Sequence, residues 1–176
     1  MAWIVKPSGT MEIERREEPY LTDEMKAELE KEILSRYPSR QAATLPLLHH
    51  VQHEYNWIPY QAIEEIADFL EITAAQVHDT ATFYEEFFLQ PKGKHLIQIC
   101  QSLSCELCGH QPIWDNLCKK LDIVEGETTD DGKFTLLTVE CLGSCGTAPA
   151  ILIDGHLHEK VTWQQVEKLI DDLARS

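Results

Sequence analysis

Basic residues are scarce in this chain. Only 15 Lys and Arg stand against 30 Asp and Glu, for a formal net charge of −15 over 176 residues. So acidic a surface repels a phosphate backbone, which argues against nucleic acid as a partner. Long apolar runs are missing as well: no stretch approaches the ~18 apolar residues of a membrane helix, so no direct membrane insertion is expected. The N-terminal MAWIVKPSGTMEIERREEP has no secretory hydrophobic core and is too acidic for a transit peptide. These absences describe a cytoplasmic chain, peripheral to any membrane it serves. Neither G-x-G-x-x-G nor a P-loop occurs, so the chain has no nucleotide fingerprint of its own. No nucleophile–base constellation is legible. Hydrophobic and charged contents of 43% and 26% are ordinary for a globular protein.

The pattern along the chain changes character twice. Residues 1–21 are polar and charged, with Pro7 and Pro19, and read as a flexible arm. Residues 22–92 read as a helical bundle. Met25, Leu29, Ile33 and Tyr37 form a stripe that stops before Pro38. A second helix is expected over 42–56. Pro59 opens a third, with Ile63, Ile66, Ala67 and Leu70 at helical spacing. Thr73 and Gln76 then form a capping box for a short fourth helix near 74–80. Residues 93–176 alternate strand and helix: strands at 95–100 and 134–141, a helix near 111–121, and a hairpin turning at Asp154-Gly155. Thr162 and Gln165 make a second capping box, opening a last helix. This β-α-β-β-α order suits a thioredoxin-like layered domain, so the class is α+β or α/β.

Six cysteines without export signals read as metal ligands or thiols rather than disulfides. Cys100 and Cys105 follow the strand HLIQIC, and Cys141 and Cys145 follow FTLLTVEC. Thiolates at the mouths of two strands can converge on one soft metal centre, iron–sulfur or zinc. Spacing alone leaves several centres open. A zinc ribbon would use Cys105, Cys108, Cys141 and Cys145. A redox pair would use Cys105 and Cys108 alone. Cys100, Cys105, Cys108 and Cys141 fit the plant-ferredoxin spacing. Context favours Cys100, Cys105, Cys141 and Cys145, because Gly143 and Gly146 let backbone N–H groups approach sulfur. Cys118 lies on an apolar helix face and reads as a buried, inert thiol.

Histidines and aromatics offer less. His49 and His53 stand one helical turn apart, a spacing zinc could use, but no third ligand accompanies them, and a solvated helix face is the simpler reading. His156 and His158 alternate in the hairpin as exposed strand residues. Phe83, Tyr84, Phe87 and Phe88 cluster before the second domain and read as packing between the two domains rather than as an exposed docking patch.

The segments ICQSLSCELCG and VECLGSCGTAPAILIDG resemble the [2Fe–2S] subunit of the NADH dehydrogenase module of respiratory complex I, the E-subunit family of NADH-quinone oxidoreductase. The upstream ATLPLLHHVQHEYNWIP and ATFYEEFF resemble that family's helical region, so the likeness spans about residues 22–174. It implies a helical bundle followed by a thioredoxin-like domain holding one [2Fe–2S] cluster on Cys100, Cys105, Cys141 and Cys145. It also implies a partner subunit that binds NADH and FMN, with FMN and NADH met only through that flavoprotein. The chain would then be an electron-transfer subunit, not catalytic alone, of a translocating NADH:quinone oxidoreductase. Related modules serve NAD-reducing hydrogenases and NAD-dependent formate dehydrogenases, and a freestanding [2Fe–2S] ferredoxin is a third reading. Cys108 lies outside the family pattern.

Overall fold

The computed structural model describes residues 15–175, and the chain divides between Pro91 and Lys92 into two units, one residue before the break read from sequence. Helix α1 (Asp23–Glu32) starts where the Thr22 hydroxyl accepts the Met25 N–H at 3.2 Å, meeting one of the donors a helix start leaves unpaired. It ends at Glu32, and a short 3-10 turn, Leu34–Arg36, leads to Tyr37, which Pro38 holds out of helical conformation (φ −109°, ψ 144°). Leu29 is buried, while Tyr37, the expected end of the stripe, is 40% exposed.

Helices α2 (Thr44–Tyr55), α3 (Tyr60–Leu70) and α4 (Ala74–Phe83) complete the unit. The stripe of α3 is realised in full, with Ala62, Ile63, Ile66, Ala67 and Leu70 all buried. The expected capping box of α4 forms, with Thr73 and Gln76 satisfying each other's backbone N–H groups.

Residues 1–14 of the expected arm lie outside the described residues. The remainder, 15–21, is not free. Leu21 is completely buried, a contribution of about 2 kcal/mol, and its N–H donates to Glu65 at 2.7 Å. The Arg16 guanidinium lies 3.6 Å from the centre of the Tyr20 ring, and the Tyr55 hydroxyl donates to the Tyr20 carbonyl at 2.9 Å. One buried leucine and two aromatic rings tether a stretch whose charge suggests mobility.

The second unit contains β1 (His95–Cys100), α5 (Leu103–Leu107), α6 (His110–Leu121), β2 (Phe134–Val139), β3 (Ile151–Ile153), β4 (His156–His158) and α7 (Trp163–Ala174). The sheet runs β2-β1-β3-β4. Strands β1 and β2 are parallel, in register from His95↔Phe134 to Cys100↔Val139, and β3 is antiparallel to β1 and to β4. Ile97, Ile99, Leu136, Ile151 and Ile153 of the sheet pack with Ile113 and Leu117 of α6 and with Val166 and Ile170 of α7. Lys120 ties these two helices together through Asp171 at 2.7 Å. The hairpin turns at Asp154 and Gly155 with φ of 49° and 79°, as Asp-Gly allows. Helix α5 has no counterpart in the sequence pattern: five residues inside a cysteine loop are too short for a periodic signal.

Candidate metal centre

Parallel pairing carries the ends of β1 and β2 to the same edge of the sheet, and antiparallel β3 begins there. Cys100, the last residue of β1, is 3% exposed, and its N–H donates to the Ala150 carbonyl at 3.2 Å. Beside it the Gln101 N–H donates to the Val139 carbonyl at 2.9 Å, so Cys141 follows directly beyond this edge. The turn into α5 brings Cys105 back, 2% exposed, to pack with Cys100 and Ala150 against half-buried Leu142 and Ala148. Cys141 and Cys145 are exposed, with their Sγ atoms 3.8 Å apart. Gly143, in the left-handed region at φ 74°, turns the loop so that its N–H donates to the Cys141 Sγ at 3.4 Å.

Cys105, Cys141 and Cys145 each respond to neighbouring thiols. Burial pushes the Cys105 thiol up to about 11, partly offset by a hydrogen bond from the Ala150 backbone, with Cys100 and Cys145 adding to the rise. The Gly143 N–H holds Cys141 below the ordinary thiol value, helped by Cys145 and by the Ser102 and Cys100 side chains. Cys145 is raised, chiefly because it lies against Cys141. Cys100 acts on all three of the others. Cys108 is not among the groups that shift them; it is exposed and caps α5, its N–H shared between the Ser104 and Cys105 carbonyls. Cys118 is half-buried against the sheet core, and burial and then Asp115 keep its thiol neutral.

The donor set suits a soft metal centre. Two thiolates on one tetrahedral metal at metal–sulfur bonds of about 2.3 Å stand about 3.8 Å apart, which is the separation of Cys141 and Cys145. Backbone bonds from Gly143 and Ala150 reach one thiol of each pair, where they offset the charge of bound thiolates. Among the described residues, no group of three or more His, Cys, Asp or Glu side chains is arranged for a single metal ion. That holds for His49 and His53, both on α2, where the His49 ring lies 4.8 Å from that of Phe87. The aromatic cluster divides: Phe87 is buried in the helical unit, whereas Phe83 is 78% exposed.

Sequence reasoning misses the supports of the centre. The Ser102 hydroxyl beside Cys141, the Ala150 backbone and the carboxylate of Glu159 carry no local motif. Glu159 accepts hydrogen bonds from the Ser144 and Thr147 hydroxyls on either side of Cys145, and these, Ser144 first, hold its carboxyl below the usual range.

Comparison with known proteins supports the same reading. The sequence model of the family described as thioredoxin-like [2Fe-2S] ferredoxin matches residues 30–174. The E subunit of NADH-quinone oxidoreductase from Pseudomonas aeruginosa is 40% identical over 151 residues, covering 86% of this chain and 90% of its own. NADH-quinone oxidoreductase subunit 2 of Thermus thermophilus is 42% identical over 146 residues, covering 81% of each. Among solved structures, an NAD+-reducing [NiFe]-hydrogenase in the H2-reduced state matches 74% of this chain with a TM-score of 0.66 and 23% identity. That match takes in 22% of the longer hydrogenase chain and speaks to the fold alone. The cysteine-bearing second unit, and all of the helical unit beyond residue 29, thus fall within one family: the chain belongs to the thioredoxin-like [2Fe–2S] ferredoxins, in the line of the E subunits of the NADH-quinone oxidoreductases.

Proposed function

We propose that this chain is the electron-transfer iron–sulfur subunit of the NADH dehydrogenase module of an NADH-quinone oxidoreductase. In this reading it holds one [2Fe–2S] cluster on Cys100, Cys105, Cys141 and Cys145, beside the flavin of a partner subunit that binds NADH and FMN. The carrying observation is the 3.8 Å separation of the Cys141 and Cys145 sulfurs, which suits two ligands of one tetrahedral iron, together with the second thiol pair at the same sheet edge. Bound there, the cluster would accept and release single electrons, while a flavin divides the hydride pair of NADH.

The chain's own residues have distinct tasks. Buried Cys100 and Cys105 close one side of the site to water, while exposed Cys141 and Cys145 leave the other open to a partner. The Gly143 N–H and the Ala150 backbone donate toward sulfur and favour the reduced, more negative state. No helix among the described residues is long and apolar enough to cross a membrane.

Metal and acid-labile sulfide analysis of the anaerobically prepared full chain tests this. About two irons and two sulfides per chain are expected, with a red-brown colour. Zinc without sulfide would overturn the proposal. The chain alone should not oxidise NADH; turnover should require the flavoprotein.

A further inference from the structure

The short turn Cys145–Thr147 contains no buried residue, yet it carries a proposed ligand. Apolar packing therefore does not hold Cys145 in place. A polar clamp from the far end of the hairpin does. One carboxylate oxygen of Glu159, Oε1, accepts from both the Ser144 Oγ and the Thr147 Oγ1, which lie on either side of Cys145. The two hydroxyl oxygens are 2.6 Å from each other, so a single acceptor gathers both ends of the turn.

The backbone continues the clamp. The Lys160 N–H donates to the Thr147 carbonyl at 2.8 Å, and the Val161 N–H donates to the Pro149 carbonyl at 3.1 Å. Lys160 occupies the left-handed region at φ 49°, a conformation costly for a side-chain-bearing residue unless its surroundings hold it. Val161, 6% exposed, is anchored in the sheet core. A continuous path therefore runs from that core through Val161, Lys160 and Glu159 to the turn bearing Cys145.

We propose that Glu159 is a positioning residue for the Cys145 thiol, fixing the 144–147 turn through the Ser144 and Thr147 hydroxyls. The proposal rests on the reading of Cys145 as a cluster ligand for its functional meaning, but not for its geometry. Glu159 acts through the two hydroxyl hydrogen bonds that its carboxylate accepts. A glutamine, whose amide oxygen also accepts, should replace it in part; an alanine should not.

Hydrogen–deuterium exchange of the full chain, read first in the metal-free thiol form, tests the clamp whether or not a cluster binds. In Glu159→Ala the amides of 143–147 should exchange about tenfold faster, the size expected for losing hydrogen bonds to a charged group. The double variant Ser144→Ala with Thr147→Ala should match it, and Glu159→Gln, whose neutral amide oxygen accepts more weakly, should fall between wild type and Glu159→Ala. After cluster assembly, Glu159→Ala should lose its visible absorbance faster on dilution than wild type, and Glu159→Gln should lose it more slowly than Glu159→Ala. Unchanged exchange at 143–147 in Glu159→Ala would overturn the proposal. So would equal acceleration in β1, which would make the residue a support of the whole domain. Exchange in Glu159→Gln as fast as in Glu159→Ala would also contradict it.

Discussion

The Gly143 N–H points at the Cys141 sulfur across 3.4 Å, and that one contact sets Cys141 apart from Cys105, which sits in the domain interior. A donor aimed at sulfur favours the thiolate, whereas burial favours the neutral thiol. The candidate centre thus combines an easily ionised, exposed thiol with a reluctant, enclosed one.

In the metal-free protein this difference should show as reactivity. At about pH 8, iodoacetamide should modify Cys141 first among the four proposed ligands and Cys105 last, because the thiolate is the nucleophile. Site-resolved mass spectrometry would follow the order. Labelling of Cys105 ahead of Cys141 would contradict the electrostatic account.

The same burial sets a pH dependence. Cys105 is raised from 9.0 to about 11, so the folded thiol form holds its proton more tightly than the unfolded chain does. Its stabilising contribution is complete below pH 9.0 and is lost as pH rises from there toward about 11. Cys118 and Cys145 are raised too, so the comparison with Cys105→Ala isolates one residue. The thermal midpoint of the reduced, metal-free wild type should fall more steeply over that interval than the variant's. Parallel curves would refute the assignment.

Much of the fold is legible in the sequence because its signals are local. The capping boxes Thr73/Gln76 and Thr162/Gln165 both form, and the Asp154-Gly155 turn adopts the positive φ its residues favour. Where tertiary contact decides, local signals fall short. Leu21 and Arg16 dock 15–21 through partners more than thirty positions away, and nothing in a charged stretch announces that. The cysteine spacing points to one edge of the sheet because strand ends are visible in sequence. The clamp on Cys145 is invisible there, since Glu159 reaches the neighbouring Ser144 across fifteen positions of sequence.

The two units have separate hydrophobic cores, and all four proposed ligands lie in the second. A fragment covering 92–176 should therefore retain the wild-type cluster spectrum, and on the proposed function it should assemble poorly with a flavoprotein partner, the task expected of the helical unit. Docking as tight as that of the full chain would show the helical unit to be dispensable for assembly.

Gly93 offers a test of the packing at the start of β1. An added Cβ would stand 2.8 Å from the Phe134 backbone carbon and 2.9 Å from the Lys133 carbonyl group. Backbone cannot rotate away as a side chain can, so Gly93→Ala should destabilise the second unit by about 1–3 kcal/mol. Denaturant unfolding would measure this, and a change under about 0.5 kcal/mol, the ordinary range for surface substitutions, would show that the β1–β2 edge yields.

The identity of the ligands is tested most directly by electron paramagnetic resonance of the reduced protein, comparing Cys145→Ser with Cys108→Ser. The plant-ferredoxin set and the one proposed here differ only at these two positions. Replacing a ligand exchanges an iron–thiolate bond for a different donor, whereas replacing exposed Cys108 removes little, within the ordinary surface range of about 0.5 kcal/mol. We expect Cys108→Ser to keep the wild-type signal and Cys145→Ser to lose or visibly alter it. A wild-type signal from Cys145→Ser, with loss in Cys108→Ser, would contradict the assignment of Cys100, Cys105, Cys141 and Cys145 as the cluster ligands.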